Sequence, residues 1–162
     1  MRKLIAVAAA LGAVGTVVAF NGGIAGGASG STTIHVTLSQ ISFATLAGQR
    51  LSQNAPPPQG AGFVFNGTLK NTAGQVVGHD NVMCVFATPQ GENVGELLCT
   101  GAFLFDGKGQ IVGTAIVPSN QAPGLKFTVP ITGGSGLYRS AHGEIHITYV
   151  SDQVNDFVFT VT

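Results

Sequence analysis

The sequence predicts an all-β domain, an eight-stranded antiparallel β-barrel, behind an N-terminal export segment. Three observations carry this. Apolar residues recur with period two from about residue 33 to 161. Clusters of Gly, Pro, Asn and Asp separate the alternating runs. Only 14 of the 162 residues are charged, seven of each sign, which leaves little material for solvated helices. The balanced charge, with no basic cluster, excludes a nucleic-acid binder that works through phosphate contacts. The 44% apolar content excludes a disordered chain.

Arg2 and Lys3 precede an uncharged run, Leu4 to Phe20, and then a tail rich in Gly, Ala and Ser. This three-part pattern predicts a secretory signal peptide over residues 1–30, cut after Ala25, Ala28 or Gly30. Residues 31–162 then form one domain with five Lys or Arg and seven Asp or Glu, and the product is secreted. No other run is long enough for a spanning helix, so no membrane partner is expected after cleavage.

The strands follow in order. Thr33–Leu46 alternates Ile34, Val36 and Leu38, then shifts phase to Ile41 and Phe43, which predicts a bulge near Ser39-Gln40. Asn54 to Gly60 holds three prolines and must be a loop. Phe63–Leu69 puts Phe63, Phe65 and Leu69 on one face, and Asn71 to Gly74 is a turn. Gln75–Thr88 aligns Val82, Cys84 and Phe86; Gly95–Phe105 aligns Leu97, Cys99, Phe103 and Phe105. Asp106-Gly107-Lys108-Gly109 is a hairpin turn. Gln110–Val117, Leu125–Ile131, His142–Val150 and Phe157–Val161 complete eight strands. Eight strands close into a barrel or fold into a two-sheet sandwich; periodicity does not separate these, and surplus glycine favours closure.

Cys84 and Cys99 are the only cysteines, and in an oxidising compartment such a pair bridges. His142, Glu144 and His146 alternate along one strand and share a face, with Ile145, Ile147 and Tyr149 on the other. Two readings stand. Turned into a cavity, the trio supplies acid and base, or less readily a metal site. Turned outward, it is a solvated stripe with the isoleucines in the core. His35 and His79-Asp80 are weaker candidates, at an exposed face and near a turn.

The run Ile131-Thr132-Gly133-Gly134-Ser135-Gly136-Leu137-Tyr138-Arg139-Ser140-Ala141-His142-Gly143 is the most specific in the chain. It resembles the signature of the dirigent and allene oxide cyclase superfamily, roughly I/V-x-G-G-T-G-x-F/Y-x-x-A-R-G. Phe63 to Leu69, Gly74 and Val76-Val77-Gly78 resemble a stretch of the bacterial barrel-like secreted members. The resemblance covers residues 32–162. It implies an eight-stranded barrel with a largely apolar cavity, assembled as a homotrimer. It also implies a small apolar or phenolic guest whose cyclisation or stereoselective coupling is steered by positioning, an isomerase or coupling guide without a cofactor. His142 stands where the signature has Arg, and an imidazole carries charge only below a pKa of about 6.5.

Three functions are therefore set against the structure. One is a cavity that binds and steers an apolar guest through residues such as Phe63, Phe65, Tyr138, Arg139 and His146. The second is a cyclase using His142 and Glu144 as catalytic groups, both facing the barrel mouth. The third is a non-catalytic secreted structural or interaction module, with Ile145, Ile147 and Tyr149 as a partner surface.

Overall fold

A computed structural model describes residues 31–46, 57–88 and 95–162. The expected signal peptide and the first three residues of the Pro-rich loop (54–56) lie outside the described residues. Eight strands follow one another: β1 (Thr32–Thr45), β2 (Gly62–Lys70), β3 (Val76–Thr88), β4 (Glu96–Phe105), β5 (Gly109–Pro118), β6 (Lys126–Gly134), β7 (Gly143–Ser151) and β8 (Val154–Val161). Each pairs antiparallel with its sequence neighbour, and β8 returns to β1, with Ile34 opposite Phe159 and Leu38 opposite Asn155. The sheet is a closed barrel, which decides against the sandwich. Closure leaves no strand edge to pair with another chain.

The alternation read from the sequence is the inside–outside alternation of the wall. Val36 and Leu38 of β1, Leu69 of β2, Phe103 and Phe105 of β4, Ile145 and Ile147 of β7, and Phe157 and Phe159 of β8 are buried inside. Each fully buried large side chain contributes about 1.5–3 kcal/mol. The expected bulge is present. Ser39 lies opposite Thr68 and Ser42 opposite Asn66, so Gln40 and Ile41 together face Gly67. Gln40 takes a left-handed backbone (φ 59°), and the side chains that follow change face, which turns Ile41 inward.

The two ends of the barrel differ. At one end the run from Gly133 to Gly143 folds over the opening, with a single helical turn at Gly136–Tyr138. Gly136 has φ 62°, and a Cβ there would stand 2.4 Å from the Lys108 carbonyl oxygen, so only glycine fits. Tyr138 packs on Phe105 with ring centroids 5.5 Å apart. From there rings continue inward through Phe159 (5.6 Å from Phe105) to Phe103 (5.1 Å) and Phe157 (5.3 Å from Phe103). This column fills the closed half. The other end is framed by the C-terminal ends of β1, β3, β5 and β7 and the starts of the remaining strands.

Cys84 of β3 and Cys99 of β4 sit directly opposite each other and are joined, with 4.1 Å between their Cα atoms. The bridge closes a 15-residue separation. Its reduction is expected to lower folding stability by about 3 kcal/mol, read as a shift in the urea midpoint with and without reductant.

Candidate functional site

The open half of the barrel holds a cavity. Its volume is about 70 Å³ counted over positions that a water centre can occupy. One water needs roughly 10–15 Å³ on that measure, so the space takes several waters or a small organic molecule. Phe63 and Phe65 of β2 line one side; Phe103, Phe127 and Phe157 line the others. Val82, Leu97, Val117, Val129 and Ile147 complete an apolar wall, and the Cys84–Cys99 bridge is part of it.

Two glycines stand in the wall where neighbouring side chains crowd it. Gly101 of β4 and Gly113 of β5 are register partners, and both line the cavity. A Cβ on Gly101 would meet Val82 Cγ2 at 3.1 Å and Phe103 Cε2 at 3.2 Å; one on Gly113 would meet Val129 Cγ1 at 2.9 Å. Larger residues there would have to push these wall side chains aside. At the rim, Phe43 is 62% exposed and touches both Phe63 (5.6 Å) and Phe65 (5.5 Å). Phe63 also meets Phe86 at 6.2 Å. The entrance is therefore aromatic.

Two polar side chains line the cavity, Gln121 from the β5–β6 loop and Asn155 from β8. Sequence reading passed over both. Asn155 lay before the expected start of its strand at Phe157, whereas β8 begins at Val154 and turns Asn155 inward.

The expected catalytic pair is placed elsewhere. His142 precedes β7 at the closed end, tied to the C-terminus by backbone hydrogen bonds with Thr162. Its ring lies outside, with Nδ1 3.1 Å from the Ser140 carbonyl oxygen. Glu144 and His146 follow on the outer face of β7, with 3.6 Å between Glu144 Oε2 and His146 Nε2. His146 Nδ1 stands 3.1 Å from Thr128 Oγ1 of β6. The cause is the alternation itself. Ile145, Ile147 and Tyr149 are in the interior, so their neighbours face solvent, and β7 separates His142 from the mouth by about 25 Å of strand. The cavity role expected of His142 and Glu144, and the guest contact expected of His146, are corrected accordingly. So is the partner surface expected of Ile145, Ile147 and Tyr149, which are core. Tyr138 is a half-buried plug of the closed end and Arg139 is exposed in the same turn; neither reaches the cavity. Among the described residues, no three His, Cys, Asp or Glu side chains converge in a metal-holding arrangement.

One acidic group does lie inside. Asp80 of β3, read from the sequence as half of a surface pair, is fully buried. It sits one inward position below Val82 and opposite Phe103, just under the cavity floor. The Gly67 N–H donates to its Oδ1 at 2.7 Å, at the place where the bulge disturbs the β1–β2 ladder. Oδ2 has no partner. Burial raises the Asp80 carboxyl from its ordinary 3.8 to about 7, against the lowering effect of the Gly67 and Asp80 backbone amides.

The fold has solved counterparts, although no family model and no curated protein matches the chain. A pyocyanin demethylase is 23% identical, with a TM-score of 0.62 over 82% of this chain and 99% of that one. A pterocarpan synthase dirigent protein is 14% identical, with a TM-score of 0.66 over 82% and 95%. An exo-specific intermolecular Diels-Alderase is 14% identical, with a TM-score of 0.58 over 80% and 98%. The chain thus has the barrel fold of the dirigent-like proteins to which its glycine-rich run pointed, and at these identities the likeness is one of fold.

Asp80 makes stability depend on pH in a stated direction. As pH rises from about 4 towards about 7, the unfolded carboxyl ionises while the folded one keeps its proton, so stability falls, and the loss is complete above the folded value. The decline expected from this group is roughly 2–4 kcal/mol. Asp80→Asn, a neutral isostere, is expected to remove it, so the variant is the more stable at alkaline pH and the two converge in acid. Denaturant titrations across that range check both ends.

Proposed function

We propose that this barrel binds a small apolar molecule, phenols included, and directs its cyclisation or stereoselective coupling by holding one reactive conformation. The observation that carries this reading is the cavity: apolar, open at one end, built on a rigid closed wall, with polar groups at only two of its lining positions. In such a site the contribution to rate is positional. Freezing an already reactive guest in a near-attack conformer supplies up to about 7–11 kcal/mol in well-oriented systems, and demands little acid–base machinery. A pterocarpan synthase dirigent protein and a Diels-Alderase share the scaffold, which agrees with guided ring formation.

The protein is exported in this proposal. Residues 1–30 act as the signal, and the Cys84–Cys99 bridge suits an oxidising compartment. No helix among the described residues is long and apolar enough to cross a membrane.

The outer wall supports assembly, and with it the interaction-module reading. Met83 of β3, Leu98 of β4 and Ile116 of β5 are exposed, with Leu98 paired directly to Ile116. They form an uncharged apolar patch across three neighbouring strands, and a homotrimer would bury it.

Two measurements test these readings. Titration with the uncharged fluorophore phenyl-naphthylamine should saturate at one site per barrel. Val117→Phe, which fills the cavity, should weaken binding at least tenfold, while Ala at both His142 and Glu144 should leave it unchanged; unaltered binding in Val117→Phe defeats the cavity reading. Sedimentation velocity should show a trimer that Ile116→Lys converts to monomer; a wild-type monomer at micromolar concentration defeats the assembly.

A further inference from the structure

Three buried side-chain oxygens among the described residues have no hydrogen-bond partner: Ser39 Oγ, Asp80 Oδ2 and Asn155 Oδ1. Only one of the three residues, Asn155, lines the cavity. Around it the wall is hydrocarbon, with Phe157 on the same strand and Phe65, Phe127 and Ile147 among the other lining residues. A carboxamide with an unmet acceptor is costly in such a wall, and leucine of similar volume would pack there without that cost. Unsatisfied polar groups of this kind concentrate where a ligand completes them. The lining holds a second notable property. Among the described residues it contains no Asp, Glu, Lys, Arg or His, and its only sulfurs are joined in a disulfide. An anionic occupant would lose its hydration there and gain no counter-charge.

Taken together with the cavity reading proposed above, on which it rests, we infer that Asn155 is the polar anchor of the site and that its occupant is an uncharged molecule with one hydrogen-bonding group, such as a hydroxyl, on an apolar ring frame. The hydroxyl donates to Oδ1 or accepts from Nδ2, so either orientation of the amide serves. Gln121, on an exposed loop at the rim, is placed to meet the guest's outer end. Asn155 acts here as a positioning and selectivity residue. It fixes which end of the guest points to β8 and takes no part in bond making.

The test uses three probes with the same frame and the substituent at the same ring position: naphthol, methylnaphthalene and naphthoate. Affinities for the oxidised full-length barrel are read by calorimetry or by fluorescence change. In the wild type, naphthoate should bind at least a hundredfold more weakly than naphthol. The naphthol-to-methylnaphthalene affinity ratio should fall about tenfold in Asn155→Leu, the loss of one hydrogen bond in a dry site. Methylnaphthalene should bind the variant at least as tightly as it binds the wild type, and the melting temperature should rise as the orphan acceptor is removed. Asn155→Ser, which shortens the group without enlarging it, should lower the ratio in the same direction and serves if the leucine variant does not fold. An unchanged ratio in these variants overturns the anchor, and naphthoate binding as tightly as naphthol overturns the uncharged occupant. Both results would leave the cavity reading intact. Failure of all three probes to bind the wild type overturns the cavity reading and this inference with it.

Discussion

Closure of β8 onto β1 is the constraint from which the other features follow. Once the eighth strand is hydrogen-bonded to the first, every residue on the wall is committed to inside or outside, and the interior width is set by strand number. Eight strands enclose space that side chains just fill, or that holds one small guest when they do not. Here both occur along one axis. The aromatic column from Tyr138 to Phe103 fills one half, and the other half, lined by Phe63, Val117 and Phe127, stays partly empty. The cavity is thus a local deficit of side-chain volume in a wall whose geometry is otherwise fixed.

Much of this was legible in the sequence. Period-two alternation located all eight strands, and the phase shift at Ser39-Gln40 located the bulge, because one extra residue reverses the face of everything after it. Phe63, Phe65 and Leu69 were legible as one face of their strand, though not as the inward one. The direction of β7 was harder. A polar stripe and an apolar stripe alternate there, and in isolation either can face a cavity that binds a polar group. The position of Arg in the family signature pulled His142 inward, while the packing needs of Ile145, Ile147 and Tyr149 turned it out. Those three buried residues outweigh one imidazole that water solvates without cost.

The inward positions of Asp80, a weak candidate in the sequence, and of Asn155 were less legible. Sequence patterns treat Asp and Asn as turn formers, and both sit close to turns. For Asn155, nothing in the local composition signals that the strand begins before it; Asp80 lies within the expected strand Gln75–Thr88, on the face of Val82, and only its charge argued for the surface. Asp80 is held by the amide at the bulge, and a carboxyl so placed is a cost that an apolar residue would avoid. It lies beside the floor of the cavity, where strict packing and guest accommodation compete. The barrel therefore concentrates its unfavourable polar groups near the place where it has room, as functional sites do in otherwise well-packed domains.

The pairing of Thr32 with Val161, and of His142 with Thr162, also fixes where the folded domain begins and ends. Both termini of the barrel leave from the plugged face, side by side and at the opposite pole from the entrance. A tether, fusion partner or sensor surface attached at Thr162 would hold the barrel with its mouth turned to solution. The same proximity makes the two ends of the barrel joinable by a short linker. The entrance and the points of attachment are thereby separable in engineering.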